Sequence, residues 1–410
     1  MRLIHTSDWH LGHTLREQSR SDEHEAFLAW LLDQLEGVDA LLIAGDVFDS
    51  ANPTSSAQRR FFRFIAEARR RRPALDVVVI GGNHDSAARL DAPRPLFDHA
   101  GVRMVGGLPR RPDRSLDLDR LGVPLHGPDG RVAAWVAAIP FLRPSDLPRV
   151  EAGDPLVAGV EAIYQQVLDH LRARRGPDQA LLAMGHCYLA DTALSEGSER
   201  KILGGNQHAL PASLFPADVA YVALGHLHLA QQVGRPGVRY CGSPLPLSMT
   251  EARYAHQVLQ VDLEGDALAE VTPLLAPRPV DILRLPEGGP LPLEAVLKRL
   301  GALPLLDPSL PHWRRPFLEV SVAVESAVPD LRGRIEAALE GRSPRLVSLK
   351  VVRLREESSL ADSLPRADLQ SLTPEAVFER LWAARESGPL PDALRASFHE
   401  LVDGLGAGGD

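Results

Sequence analysis

The chain has 410 residues and a formal net charge of −9, with 44% hydrophobic and 24% charged residues. That length exceeds one core and predicts two or three domains; the composition excludes a disordered chain or a fibrous repeat. No apolar run reaches the roughly 18–20 residues of a membrane span, since the longest candidate, 132–142, is broken by Pro140. The N-terminal residues turn polar at His5-Thr6-Ser7-Asp8, which offers no signal-peptide apolar region. Two cysteines, Cys187 and Cys241, exclude a disulfide framework and a cysteine-based zinc site. The expectation is a cytoplasmic protein without a membrane segment. The acidic balance adds that any grip on duplex DNA comes from local basic clusters or from a partner.

In chain order, short apolar runs predict strands at 2–5, 40–44, 76–80, 132–139, 180–184, 220–224 and 258–263. Between the early ones lie amphipathic helices at 22–36 and 54–72, with apolar residues at helical spacing. This alternation predicts a layered α/β domain with mixed sheets flanked by helices, over 1–275. A Pro-rich stretch from Pro273 to Pro292 marks its end. A small α+β module follows at 278–355, with strands at 280–285, 317–324 and 346–354 and helices at 293–300 and 329–339. In the 317–324 strand, Leu318, Val320, Val322 and Val324 alternate with Glu319, Ser321 and Ala323. A tail at 361–410 carries two short helices, one opening at Thr373-Pro374 and one at Pro391, with Phe378, Leu381, Trp382, Leu394, Phe398 and Leu401 as apolar positions.

The chemistry-bearing residues fall where the early strands should stop. Five segments place metal-capable side chains after an apolar run: SDWH (Asp8, His10), GDVFD (Asp46, Asp49), GNHD (Asn83, His84, Asp85), GH (His186) and GHLH (His226, His228). Residues two apart on a strand share a face, so Asp8/His10 and His226/His228 suit convergence on one ion. The glycines before Asp46, Asn83, His186 and His226 allow sharp turns and close approach. Carboxylate, amide and imidazole donors without thiolate suit Mn²⁺, Fe²⁺ or Zn²⁺ better than Ca²⁺ or Mg²⁺ alone. A donor set drawn from these ten residues, seven or more ligands, exceeds one ion and suits two ions sharing a bridging carboxylate, the arrangement that clamps both oxygens of a phosphoryl displacement. His84 follows Asn83 directly, and adjacent residues of an extended segment face opposite ways, which points its ring at the scissile phosphate.

The ordered set Asp-x-His, Gly-Asp-x-x-Asp, Gly-Asn-His-Asp, Gly-His, Gly-His-x-His resembles the calcineurin-like metallophosphoesterase superfamily. The stretches RLIHTSDWHLGH, LLIAGDVFD, VVVIGGNHDS, IPFLRP, ALGHLH and YCGSPLPLS are similar to the SbcD nuclease family within it, and the similarity covers nearly the whole chain. The resemblance implies two Mn²⁺ ions: one held by Asp8, His10, Asp46 and His228, the other by Asp46, Asn83, His186 and His226, with Asp46 bridging. It implies that His84 is the acid/base or transition-state donor and that Asp49 orients it. It also implies an ATP-stimulated 3′→5′ exonuclease on duplex DNA and an endonuclease on single strands, acting in DNA repair and recombination. The implied partners are an SbcC-type ATPase in a heterotetramer, DNA, and a second copy of the chain through the nuclease domain. The 278–355 module then caps the nuclease domain and recognises DNA, and the 361–410 tail binds the ATPase.

Other residues carry weaker expectations. His13, beside the first motif, and Arg59 and Arg63, on a basic helix, are candidate DNA contacts; a solvated helix face explains the arginines as well. His5 is expected in the core, and His208 carries no role. The competing functions are a metallophosphoesterase for a small nucleotide or phosphoprotein substrate, and a non-catalytic scaffold against which the complete ligand set speaks.

Overall fold

The computed structural model describes residues 1–150, 154–190, 192–193, 209–326 and 328–353, with isolated positions between 378 and 398. Two compact units are distinguished, Met1–Val322 with Asp330–Lys350, and Ala323–Pro329 with Val351–Asp410.

The first unit is built on two six-stranded sheets. In the first sheet the order is Ala267–Leu275, Gln257–Glu264, Arg2–Thr6, Ala40–Ala44, Asp76–Ile80 and Val102–Val105; the last four strands run parallel and the first two are antiparallel additions. In the second sheet the order is Gln231–Gln232, Val238–Tyr240, Tyr221–Gly225, Ala180–His186, Val132–Ala138 and Gly122–His126, with a parallel centre. Strand alternation divides the side chains cleanly. Leu3, Leu42, Ala44, Val78 and Ile80 face the second sheet, packing with Val136, Ala138, Leu182 and Val222. Ile4, Leu41, Ile43, Val77 and Val79 face the opposite way, onto Phe27 and Leu31 of the Ser21–Gln34 helix and Phe61, Phe64 and Ile65 of the Ser55–Arg71 helix. A 20-residue helix, Pro155–Arg174, covers the second sheet through Val160, Ile163, Val167 and Leu171. The result is the expected layered α/β architecture, helices outside and two sheets within.

Three features depart from the sequence expectation. The Pro155–Arg174 helix is not among the expected elements, although Asp154 caps its first turn by accepting from Leu156 N at 2.9 Å and Pro155 occupies the first helical position. The strand Ala267–Leu275 runs through Pro273, where the sequence predicts a Pro-rich break; it is an edge strand, where a missing N–H costs no ladder bond. The Phe317–Val324 strand is buried along both faces and is central in its sheet, with Ile282–Leu285 pairing in parallel and Arg345–Arg353 pairing as well. Glu319, on the alternating polar side of the strand, is only 1% exposed; its Oε1 pairs with Arg284 Nε at 3.1 Å and Lys350 Nζ at 3.0 Å, while Oε2 is buried with no hydrogen-bond partner among the described residues.

No helix among the described residues is long and apolar enough to cross a membrane. The tail helices and His208 lie outside the described residues except for isolated positions. Among those, Phe378 and Phe398 stack at 4.2 Å between ring centroids, and Arg395 pairs with Glu379 at 2.6 Å.

Candidate metal centre

Five loops, each leaving the C-terminal end of a parallel strand, meet between the two sheets. Asp8 and His10 follow Arg2–Thr6, Asp46 and Asp49 follow Ala40–Ala44, and Asn83 and His84 follow Asp76–Ile80. His186 ends Ala180–His186, and His226 and His228 follow Tyr221–Gly225. Crevices at such strand ends are where open α/β sheets bind ligands. The sheets come close because residue 225 is glycine: a Cβ there would collide with the carbonyl of Ala44 and the ring of His186. At Gly82 a Cβ would collide with Asp46, so the third loop can lie directly against the second.

The backbone is strained where the ligands sit. Asp8 (φ 53°), His10 (φ 44°), Asp46 (φ 47°) and His226 (φ 98°) all adopt left-handed backbone, a region costly for residues with a Cβ. Hydrogen bonds between loops hold them there. Asp8 N donates to Gly45 O and His10 N to Asp46 O, each at 3.0 Å, and His226 N donates to Asp8 Oδ1 at 3.0 Å. The His84 amide donates to Asp46 Oδ1 at 2.8 Å.

Within this frame the metal-capable atoms cluster. Ligand atoms of Asp8, His10 and His228 lie within 4.8 Å of one another, as do those of Asp8, Asp46 and His186. Asp8 is common to both groups, a third joins His10, Asp49 and His84, and Asp46 Oδ2 lies 3.6 Å from His10 Nε2 and 3.3 Å from His186 Nε2. Asn83 Oδ1 stands between His186 Nε2 at 2.9 Å and His226 Nδ1 at 3.0 Å. His10 Nε2 is buried with no hydrogen-bond partner among the described residues, which leaves its lone pair available to a cation. Electrostatics agree. Burial alone would raise the Asp46 carboxyl, but the His186, His10 and His84 rings hold it well below the usual carboxylate range. Burial likewise disfavours charge on His186, yet Asp46 and Asp8 push it up to about 9. Burial pushes His10 and His226 the other way, His226 down to about 3, which keeps those rings neutral as metal ligands must be, and the nitrogen and oxygen donors fit divalent ions.

His84 lies beside this cluster, its ring centroid 4.7 Å from that of His10. Its Nδ1 meets an oxygen of Asp49, as expected, but the oxygen is the main-chain carbonyl at 2.9 Å. The Asp49 carboxylate, expected on His84, turns instead toward the first loop, reaching His13 Nδ1 at 2.9 Å and His10 Nδ1 at 3.3 Å. His13 has both ring nitrogens engaged, the second by Leu247 O at 3.0 Å. Arg59 is exposed, and Arg63 pairs with Glu25 at 2.5 Å. His5 is buried as expected and joins the two sheets through Tyr221 Oη at 2.8 Å and Leu224 O at 3.2 Å.

Three further residues support the ligands: Ser7 and Asp85, which lie within the SDWH and GNHD motifs, and Glu251, which lies outside all five. The Ser7 hydroxyl donates to Asp8 Oδ2. Asp85 faces the backbone, accepting from Val47 N, Phe48 N and Gly82 N at 2.9–3.1 Å; burial and Asp46 raise it to about 6 against those bonds. Glu251, fully buried, bonds His228 Nδ1 at 3.1 Å.

Comparison with known proteins agrees with this geometry. Residues 1–230 match the calcineurin-like phosphoesterase family, and residues 278–386 match a domain described as the type 5 capsule protein repressor C-terminal domain. A Rhodobacter capsulatus protein, named as the SbcD component of the nuclease SbcCD, is 42% identical over 92% of this chain and 93% of its own length. Proteins of the same name are 34% identical in Escherichia coli, over 94% of both chains, and 35% identical in Bacillus subtilis, over 64% of this chain and 66% of the relative. This chain is therefore a member of the calcineurin-like phosphoesterase family and, within it, of the SbcD family of SbcCD nuclease components.

Proposed function

We propose that the chain is the nuclease subunit of an SbcCD-type complex, a two-metal phosphodiester hydrolase acting on DNA. Its activities in this reading are an ATP-stimulated 3′→5′ exonuclease on duplex ends and an endonuclease on single strands. The observation that carries the proposal is the meeting of five strand-end loops around Asp8, Asp46 and Asn83, with Asp46 Oδ2 3.6 Å from His10 Nε2 and 3.3 Å from His186 Nε2. Asp8, His10, Asp46 and His228 hold one ion; Asp46, Asn83, His186 and His226 hold the other; Mn²⁺ is the ion proposed. Bound there, such ions neutralise phosphate charge and generate a nucleophilic water at neutral pH.

The chain's own residues do the rest. With Nδ1 of His84 donating to the Asp49 carbonyl, Nε2 is the atom that exchanges a proton or hydrogen bond with substrate oxygen. Asp49 and His13 brace His10 from behind, which gives His13 a positioning role and leaves Arg59 and Arg63 as the DNA-facing candidates. We assign 278–355 to capping and DNA recognition, 361–410 to an SbcC-type ATPase in a heterotetramer, the nuclease domain to self-association, and the protein to the cytoplasm.

The test uses linear duplex DNA labelled at either end and a chromogenic small diester, both with Mn²⁺, with and without the ATPase and ATP. Mononucleotides released from 3′ ends, faster with partner and ATP, support the proposal. Hydrolysis of the small diester with no DNA cleavage in any arm would place the chain with small-substrate phosphoesterases.

A further inference from the structure

Burying a carboxylate is costly unless it is paired and hydrogen-bonded, and Glu251 is completely buried. Among the described residues no arginine or lysine pairs with it. The neighbouring Arg253 reaches outward to Glu287, and Arg278 lies near Asp281. The ionisable side chain it bonds is His228, through Oε1 and Nδ1 at 3.1 Å. Its remaining acceptor capacity is used locally, by Leu247 N at 2.8 Å on Oε2 and by the Ser248 hydroxyl at 3.2 Å on Oε1.

The segment that carries Glu251 is itself pinned. Its main-chain carbonyl meets His256 Nε2 at 3.1 Å, and the other nitrogen of that ring meets Ser243 O at 2.8 Å. Met249, two residues earlier, packs in one buried cluster with Leu15, Val280, Ile282 and Phe317. Arg278 donates to Ala252 O. A carboxylate held this firmly fixes both the rotation and the tautomer of the ring it bonds, since it accepts a hydrogen bond from Nδ1–H and leaves Nε2 as the nitrogen a metal must use.

We propose that Glu251 is a positioning residue for His228, holding it as an Nδ1–H imidazole aimed at the ion shared with Asp8 and His10. The proposal rests on the two-ion reading above. It explains why a buried acid lies outside the five ligand motifs yet points into them. It also makes the Met249–Arg253 turn, anchored on the residues that open the small module, a determinant of one metal site and not of the other.

The experiment is calorimetric titration of Mn²⁺ into the metal-stripped full chain, with Co²⁺ visible absorption as a second readout and thermal melting of each apo-protein as a control. Wild type should take two ions. Glu251→Gln keeps one acceptor oxygen but cannot satisfy both His228 and Leu247, so it should weaken one binding phase about 10–100-fold and change the Co²⁺ spectrum of that site alone. His228→Ala should abolish the same phase. Ser248→Ala, which leaves the carboxylate in place, should give a smaller loss in that phase and serves where Glu251→Gln does not fold. Unchanged Mn²⁺ affinity and Co²⁺ spectrum in a folded Glu251→Gln or Ser248→Ala chain, with or without a lower melting temperature, overturns the proposal and makes Glu251 a structural filler. Failure of wild type to bind two ions is a different signature, which overturns the two-ion reading itself and takes this inference with it.

Discussion

His84→Gln separates chemistry from metal binding, because the two kinds of contact His84 makes are physically distinct. Its backbone amide holds Asp46 Oδ1 at 2.8 Å, and its ring is held by the Asp49 carbonyl at 2.9 Å. Glutamine keeps the amide bond, and its NH₂ can still donate to that carbonyl. What it lacks is a titratable nitrogen where Nε2 stands. The expected loss is that of a general acid–base group, about 10²–10⁴-fold in cleavage rate, which is about 2.7–5.5 kcal/mol of barrier at about 1.36 kcal/mol per decade. Mn²⁺ content and DNA affinity should stay at wild-type values. The assay is single-turnover cleavage of end-labelled duplex DNA at saturating protein, with metal content measured on the same preparation. Recovery of the rate by raised Mn²⁺, or a fall in bound Mn²⁺, would show that His84 acts as a ligand and refute the assignment.

Asp49→Asn should behave differently, since the carboxylate braces His10 and His13 while the carbonyl braces His84: Mn²⁺ affinity falls about 10–100-fold, and saturating Mn²⁺ restores the rate. A rate defect that persists at saturating Mn²⁺ would return Asp49 to His84. Asp46→Ala should lose both ions, because Asp46 Oδ2 faces a histidine of each group; metal analysis finding one ion fully retained contradicts the bridging position. Acid should destabilise the fold through His5 and His24, whose buried rings are pushed down to about 3 from 6.5, chiefly by burial. With folded values below unfolded ones, their contribution is complete above pH 6.5 and is lost as pH falls toward 3, by up to about 1.4 kcal/mol per pH unit for each group. Urea midpoints at pH 7.5 and 5.5 read it, and His24→Asn should make the drop smaller; an unchanged drop counts against His24.

The sequence displays what depends on local periodicity and hides what depends on packing. The strands 40–44 and 76–80 are legible because apolar runs, 40–44 and 77–80, end at glycine in both. The ligand motifs are legible for the same reason, being polar clusters at abrupt strand ends. Glu319 is illegible because alternation predicts one exposed face, whereas strands paired on both sides and covered on both faces bury it. The Pro155–Arg174 helix carries its cap and proline in the sequence, but Gly159 interrupts the apolar stripe; that glycine is where the helix lies against Leu147. Ser7 and Asp85 sit inside the SDWH and GNHD motifs, but nothing in the spacing shows that they brace rather than ligate, and Glu251 carries no motif at all. Asp85 and Glu251 act through contacts set by the approach of other loops, Ser7 through its neighbour Asp8, and their acidic or hydroxyl type is common on any surface.

The choice of Asp49's carbonyl over its carboxylate for His84 belongs to a wider pattern in which one group serves two loops. Asp46 offers Oδ1 to the His84 amide and Oδ2 to the metal-facing histidines. Asp8 accepts the His226 amide on the carboxylate that groups with His10 and His228. Left-handed backbone at Asp8, His10, Asp46 and His226 costs of order 1–3 kcal/mol at each position and persists because neighbouring loops over-determine it. The ligands are therefore also the fasteners. Replacing a ligand carboxylate removes a donor and releases a strained loop together, so its effect on metal binding should exceed that of removing a histidine that only coordinates. Replacing a brace such as the Asp49 carboxylate leaves the loops fastened and alters only how well one imidazole is aimed.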